Sequence, residues 1–355
     1  MSILDFSTPP ERVCVLRLSA LGDVCHTLPV VNSLRAAWPV THFTWIVGRT
    51  EAGLIGDVPG IEFVPFDKAA GWLAYRDLRR RLAGQRFDLL LHMQMSLRAS
   101  LASRCLRAPI RLGFDRERAH DFQWLFTTRQ IPHMPHEHVM DSFFGFARAL
   151  GVTDKRLEWN IPIPPEAEAR AREIIPDDKP TLILSPCANA RFRNWRNWSY
   201  ERYGPVCDYA VRELGWKVIV TGGPSAAEAE AAQVIVTASR EPVLNLQGKT
   251  SLKELLALIA RARAVITPDS GPAHMATAVS TPVIGLYAST NPDRAGPYLS
   301  QQWRVNRYPD AVREFLGKSA DEVPWGTRVR DPRAMDLIAS DEVIAMLARL
   351  ASSEE

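Results

Sequence analysis

The sequence predicts an α/β protein made of two doubly wound parallel sheets in tandem. Three observations predict it. Short apolar runs alternate with helix-period segments, joined by short connections, along both halves of the chain. The alternation breaks at a proline-rich stretch and then restarts. At 355 residues the chain exceeds what a single core ordinarily fills.

The first half opens with the apolar run Val-Cys-Val-Leu-Arg-Leu at 13–18, read as a buried strand, followed by a turn over Ser19–Asp23. From His26 to Ala37, Leu28, Val31 and Leu34 recur at helical spacing, and Trp38-Pro39 ends the helix. Strands are expected over 43–47 and 61–65, an arginine-rich amphipathic helix over 72–83, and strands over 87–91 and 111–114. A helix over 138–150 is stopped by Gly151.

Ile161-Pro162-Ile163-Pro164-Pro165, a charged helix over 166–175 and Pro176–Pro180 mark the boundary, giving domains 1–160 and 161–334. The second half then runs strand 181–184, helix 200–214, strand 217–220, helix 226–238, strand 243–246, a helix capped by Ser251 and Glu254 and running to Arg261, strand 264–267 and strand 282–287. Tandem sheets of this kind leave a cleft in which the carboxyl ends of their strands face one another. The helical tail within 335–355 is expected to pack back on the first domain.

Composition excludes several classes. Formal net charge is only +3, so nothing global argues for nucleic acid. The five cysteines form no CxxC pair, which suits reduced thiols and a cytoplasmic protein. No apolar run approaches the roughly 20 residues that span a bilayer, and the N-terminus lacks a signal-peptide core. Charge is uneven, however. Eleven arginines from Arg76 to Arg118 crowd one stretch of the first half. They make either solvated helix faces or a basic face for an anionic acceptor or membrane surface. His133, His136 and His138 lie in a proline-containing loop entering a helix, and no metal site is expected there.

Three loops at strand ends carry the candidate chemistry. In Ser19-Ala20-Leu21-Gly22-Asp23, Gly22 allows a tight turn and Asp23 is either a general base on a hydroxyl or a helix cap. Only one glycine is present, so this is no dinucleotide fingerprint, which counts against a dehydrogenase. In the loop 185–198, Arg191, Arg193 and Arg196 can hold a diphosphate or remain solvated, and Trp195 and Trp198 can stack on a ligand or pack on their own domain. After Thr221-Gly222-Gly223, Glu228 can reach ribose hydroxyls or sit on a helix surface. The stretch Thr267-Pro268-Asp269-Ser270-Gly271-Pro272-Ala273-His274 joins a buried strand to a helix. Asp269 or Ser270 can cap that helix, Gly271 permits close backbone approach, and His274 can add a donor. The stretch is an ordinary capped helix or a phosphate site at a positive helix end.

Leu21-Gly22-Asp23-Val24 with His26-Thr27-Leu28-Pro29 resembles the N-terminal motif of the ADP-heptose:lipopolysaccharide heptosyltransferases, glycosyltransferase family 9. Leu246–Leu252, Asp269–His274 and Thr281-Pro282-Val283 are similar to that family's C-terminal signature, and Arg111–Asp115 and His138–Asp141 also fit. The resemblance reaches to about Tyr298. It implies a GT-B fold, two facing Rossmann-like domains with acceptor on the first and nucleotide sugar on the second. It implies inverting transfer of heptose from ADP-heptose to the Kdo or heptose of the lipopolysaccharide inner core, with no essential metal or cofactor. Asp23 becomes the general base. Arg196, Asp269, Ser270, Gly271, His274 and Glu228 fall on the donor side, and Gly22, His26 and Arg116 on the acceptor side. Partners are then the ADP-sugar and an anionic lipopolysaccharide core, with peripheral contact at the cytoplasmic face of the inner membrane.

Departures from the family pattern stand at Arg196, where lysine is common, at His92, where an acid is usual, and at Cys187-Ala188, where a small hydroxyl residue is frequent. Another nucleotide sugar, or a nucleotide-binding protein of the same fold without catalysis, are the alternative readings.

Overall fold

In a computed structural model that describes residues 8–188 and 194–353, the chain divides into two compact units, 1–162 and 163–355. The boundary falls within the proline-rich stretch.

The first unit runs β1 (Arg12–Leu16), α1 (Leu21–Ala37), β2 (His42–Gly48), α2 (Arg49–Ile55), β3 (Ile61–Phe66), α3 (Trp72–Arg81), β4 (Leu89–His92), α4 (Leu97–Ser103), β5 (Ile110–Gly113), β6 (Arg129–Gln130) and α5 (Val139–Ala149). All its strands pair in parallel, in the order β3-β2-β1-β4-β5-β6. The near-continuous burial of β1, β2 and β4 follows from a sheet covered on both faces. One face, presented by Cys14, Leu16, Ile46, Val64 and Leu90, receives Ala74 and Leu78 of α3 and Ala99 and Ala102 of α4. Helix α1 contacts α2 and α5.

Helix α1 starts five residues before the expected His26, so Gly22 and Asp23 lie in its first turn and not in a loop. Pro29 sits inside this helix. A proline nitrogen cannot donate to the carbonyl four residues back, here that of Cys25. The Trp159 indole takes its place, with Nε1 donating to that oxygen at 2.7 Å. Asn32 Nδ2 donates to the Glu158 carbonyl at 2.8 Å, and the Arg156 amide donates to Ser33 Oγ at 2.9 Å. The last segment of the unit is thereby tied along α1.

The second unit runs α6 (Pro165–Ile174), β7 (Thr181–Leu184), α7 (Tyr203–Arg212), β8 (Lys217–Val220), α8 (Ala226–Ala238), β9 (Val243–Asn245), α9 (Leu252–Arg261), β10 (Ala264–Pro268), α10 (Gly271–Ala278), β11 (Val283–Tyr287), α11 (Pro292–Ala295), β12 (Arg304–Asn306), α12 (Tyr308–Leu316) and α13 (Ser340–Ser352). Its parallel sheet has the order β12-β11-β10-β7-β8-β9. In chain order this is the same winding as the first. Each sheet therefore has its topological switch beside its first strand, at β1/β4 and at β7/β10, where α/β folds bind ligands.

The tail helix corrects the expectation drawn from sequence. Val343, Leu347 and Leu350 of α13 are buried in the second unit's own core, against α7, β11 and β12, and Arg307 pairs with Glu342 at 2.7 Å. The stretch 308–331, which carries no recognisable motif, supplies α12 to that core and a bond from Tyr308 Oη to the Thr327 carbonyl at 3.0 Å.

Candidate active site

In the first unit the site is built at the end of β1. Gln94, just beyond β4, accepts from the amides of Leu18 and Ser19 at 2.6 and 3.2 Å and donates to Ser19 Oγ at 3.3 Å. These bonds hold the β1–α1 connection and so aim the first turn of α1. There the Asp23 carboxylate accepts from the Ala20 amide at 3.0 Å and pairs with the Arg17 guanidinium. The cap reading of Asp23 is met, since one oxygen accepts from the backbone at the helix start, and the carboxylate stays partly exposed. Arg17 is buried, donates to the Met93 carbonyl at 2.5 Å, and lies over the Phe143 ring at 5.0 Å.

His26, one turn further along α1, is buried edge-on to His138 and Phe143, so it packs within the unit. Gly22 is buried in the first turn. Arg116 is exposed and stacks over Trp124 at 5.5 Å, in the loop after β5. It makes no contact with Asp23, so only Gly22 and His26 of the acceptor-side residues share an element with the carboxylate. Asp115 beside it is held by the Arg118 side chain and by His133 Nδ1 at 3.1 Å. Burial pushes that carboxyl up, but the Arg118 and His133 hydrogen bonds outweigh it and hold it below the usual value.

His92, the departure from the family's acid, is fully buried at the end of β4. Gln123 Nε2 lies 3.0 Å from its Nδ1 and also donates to the His92 and Gln94 carbonyls at 2.8 and 3.2 Å. An amide nitrogen only donates, so Nδ1 accepts and the proton sits on Nε2. Burial, with the nearby Arg111 and Arg17 charges, pushes the imidazole down to about 3 and keeps it neutral.

The second unit assembles its site at the β7/β10 switch. Thr267 Oγ1 donates to the Ser185 carbonyl at 2.8 Å and pairs with Ser270 Oγ at 2.7 Å. Ser270 occupies the N-cap position of α10, but its hydroxyl is turned to Thr267 and makes no cap bond. The first-turn amides and the positive end of α10 are thereby left without a side-chain cap, as an anion site requires. Arg196 reaches the same point, with Nη1 2.9 Å from the Asp269 carbonyl and 3.5 Å from its carboxylate. Asn194 Oδ1 fixes Arg196 by accepting from its amide at 3.1 Å and its Nε at 3.4 Å. Asp269, Ser270 and His274 are buried around this helix start. Arg196, Asp269, Ser270, Gly271 and His274 are therefore brought together.

Glu228 is not among them. Its carboxylate accepts from the Gly223 amide at 2.6 Å and from Ser225 Oγ at 3.2 Å, closing the β8–α8 loop. A β-carbon at Gly222 or Gly223 would stand 3.0 Å from that carboxylate, a tight contact that the glycines avoid. Trp198 packs in the core, its Nε1 donating to the Ile338 carbonyl at 3.0 Å and its ring set against Tyr203. That leaves only the partly exposed Trp195 for stacking on a ligand. Arg191 and Arg193 lie outside the described residues.

Sequence reasoning passed over Arg17, Gln94 and Gln123. A signal existed for the first, a lone cation inside an otherwise apolar strand run. None existed for the glutamines, whose role depends on which strand ends are neighbours. Among the described residues, no group of three or more His, Cys, Asp or Glu side chains is placed to hold a metal ion.

Two Rossmann-like units, a carboxylate at the first switch and an open helix start at the second make this a GT-B glycosyltransferase fold. Residues 75–320 match glycosyltransferase family 9 (heptosyltransferase), and the chain belongs to that family. It is 37% identical to the lipopolysaccharide core heptosyltransferase OpsX of Haemophilus influenzae, over 97% of this chain and 98% of that one. A glycosyltransferase family 9 structure from Veillonella parvula superposes with a TM-score of 0.78 at 25% identity, covering 96% of this chain and 97% of the other. The Escherichia coli heptosyltransferase WaaC, solved with ADP, shares the fold with a TM-score of 0.73 at 18% identity, over 96% and 99% of the two chains.

Proposed function

We propose that this glycosyltransferase moves heptose from ADP-heptose to a sugar, Kdo or heptose, of the anionic lipopolysaccharide inner core. The observation that carries the reading is the pairing of Asp23 with Arg17 in the first turn of α1, on a chain 37% identical to a lipopolysaccharide core heptosyltransferase along nearly its whole length.

In this mechanism Asp23 takes the proton from the acceptor hydroxyl as that oxygen attacks the anomeric carbon of the donor. The anomeric carbon–oxygen bond to the diphosphate breaks, configuration inverts, and ADP carries away the electron pair. Charge growing on the departing diphosphate is met by the open α10 start, by His274 and by Arg196. Arg17 keeps the carboxylate oriented for the acceptor. Glu228 serves the donor side indirectly, by shaping the loop after β8. Gly22, His26 and Arg116 belong to the acceptor side. No metal is required by this scheme, because donors to the diphosphate come from the chain itself.

The acceptor is built on a lipid, so the enzyme works in the cytoplasm at the inner-membrane face, in peripheral contact with it. No helix among the described residues is long and apolar enough to cross a membrane.

The test is transfer from ADP-heptose to a panel of truncated lipopolysaccharide cores, with Asp23→Asn alongside. We expect turnover on one core, a loss of more than about a thousandfold in the variant, and unchanged ADP binding. Full activity of Asp23→Asn removes the base assignment. Turnover only with another nucleotide sugar replaces the donor.

A further inference from the structure

Helices α3 and α4 cover one face of the first sheet, and both present an unusual outer surface. Helix α4 turns Ala99, Ser100, Ala102 and Ser103 inward and leaves Leu97 and Leu101 at 50% and 45% exposure. This inverts the ordinary arrangement, in which the large apolar residues of a helix face the core. Arg98 and Arg104 are exposed beside those leucines. On α3, Ala74 and Leu78 are buried while Trp72 is 66% exposed, with Arg76 stacked over its ring at 5.2 Å. The two helices are contiguous: Tyr75 Oη donates to the Arg98 carbonyl at 3.5 Å, and Cys105 Sγ lies 3.5 Å from the Tyr75 carbonyl.

The charge of this face is one-sided. Between Trp72 and Arg107 the chain carries eight arginines against two aspartates. Asp77 is engaged by Arg80 and Arg81. Among the described residues, Arg76, Arg98 and Arg104 have no carboxylate partner. The acid placed at the patch, Asp121, accepts from the Leu97 amide at the start of α4.

We infer that the α3–α4 face is the surface by which this protein docks on an anionic lipid bilayer. Exposed leucines and a tryptophan suit the acyl boundary and headgroup level, and unpaired arginines between them suit phosphate headgroups. A protein partner would need matching acids opposite each arginine, whereas an anionic bilayer supplies them at any registration. The inference rests on the proposed lipid-linked acceptor and names the surface that brings the enzyme to it.

The test is co-sedimentation of the full chain with vesicles of phosphatidylcholine alone and with phosphatidylglycerol added, at low and high salt. Two double variants are compared, Leu97→Ser/Leu101→Ser and Arg98→Glu/Arg104→Glu. We expect binding only to the anionic vesicles and weakening with salt. Each variant should lower the partition coefficient by about tenfold or more, at an unchanged melting temperature. Turnover on a deacylated, water-soluble acceptor should stay at the parent level in both, whereas turnover on vesicle-bound acceptor falls. Equal partitioning of parent and variants overturns the proposal. So does self-association or capture of a protein partner that the leucine variant abolishes while vesicle binding persists. Loss of turnover on the soluble acceptor in the parent itself would instead count against the proposed function.

Discussion

The buried Arg17 guanidinium bridges the Met93 carbonyl, at 2.5 Å, and the Asp23 carboxylate. The end of β4 is thereby linked through β1 to the candidate base on α1, across 76 residues of sequence. An arginine can do this because its planar fork directs separate N–H groups at separate acceptors.

Arg17→Lys should therefore keep the charge and lose the bridge. We expect kcat to fall by about 100-fold, the size of effect that a misplacement near 1 Å produces. KM for the donor should change little, since Arg17 contacts Asp23, Met93 and Phe143, all in the first unit. Steady-state kinetics with both substrates checks this, and a purely structural role would show instead as a lower melting temperature at unchanged kcat.

Arg196 is held by Asn194 against the start of α10. Its removal in Arg196→Ala should raise the ADP dissociation constant by roughly tenfold to a hundredfold, the range for one or two charge-assisted hydrogen bonds. Arg196→Lys should recover part of the loss. Calorimetric titration with ADP measures both, and an affinity equal to that of the parent would remove Arg196 from the diphosphate site.

Gly48 ends β2, and its amide donates to the Leu18 carbonyl at 3.0 Å. A β-carbon at this position would overlap that carbonyl oxygen and the Glu51 carboxylate. Its φ of −65° is open to any residue, so the glycine is required for closeness alone. Gly48→Ala should cost about 1–3 kcal/mol of stability and displace the β1–α1 connection. Urea unfolding should register the first effect and a reduced transfer rate the second, with ADP binding by the second unit unaltered.

Burial keeps His92 neutral in the folded chain down to about pH 3, whereas its ordinary value is 6.5. Below pH 6.5 the unfolded chain binds a proton that the folded chain refuses. This contribution to stability is whole above 6.5 and declines as pH falls toward 3, by up to roughly 1.4 kcal/mol per pH unit. Between pH 6.5 and 5 the loss is about 1.6 kcal/mol. His92→Asn offers Gln123 a similar acceptor without a titrating group. Its denaturation midpoint should fall less than the parent's over that interval, and identical slopes would show that His92 does not titrate in this way.

Much of the fold was legible from local pattern. The strands at 181–184 and 217–220 and the capping box of Ser251 and Glu254 stand where periodicity and cap chemistry put them. The start of α1 was not legible, because Ser19, Gly22 and Asp23 are turn formers until Gln94 ties the connection down. Helix α4 escaped notice because its inner face is alanine and serine and its leucines point outward. Short β12 has no distinguishing pattern, and α12 offers only Pro309 in its first turn and the left-handed Gly317 at its end, so both owe their place to packing in the second unit's core.

For the candidate site the division is similar. The motif residues Asp23 and Asp269–His274 are contiguous with strand ends, so their position followed from the alternation of elements. Whether Glu228 turned to a ligand or to its own loop, and whether Trp198 was exposed or buried, depended on neighbours far away in sequence.

The sequence by itself determined the α/β class, the two doubly wound halves and the strand-end segments in which the candidate residues lie, since hydrophobic period and turn chemistry act over a few residues. Only the tertiary structure decided that Arg17 and Gln94 orient Asp23, that Ser270 leaves the α10 start open, and that α13 completes the second core. Those outcomes depend on buried polar groups finding partners across neighbouring strands, a requirement no local pattern encodes.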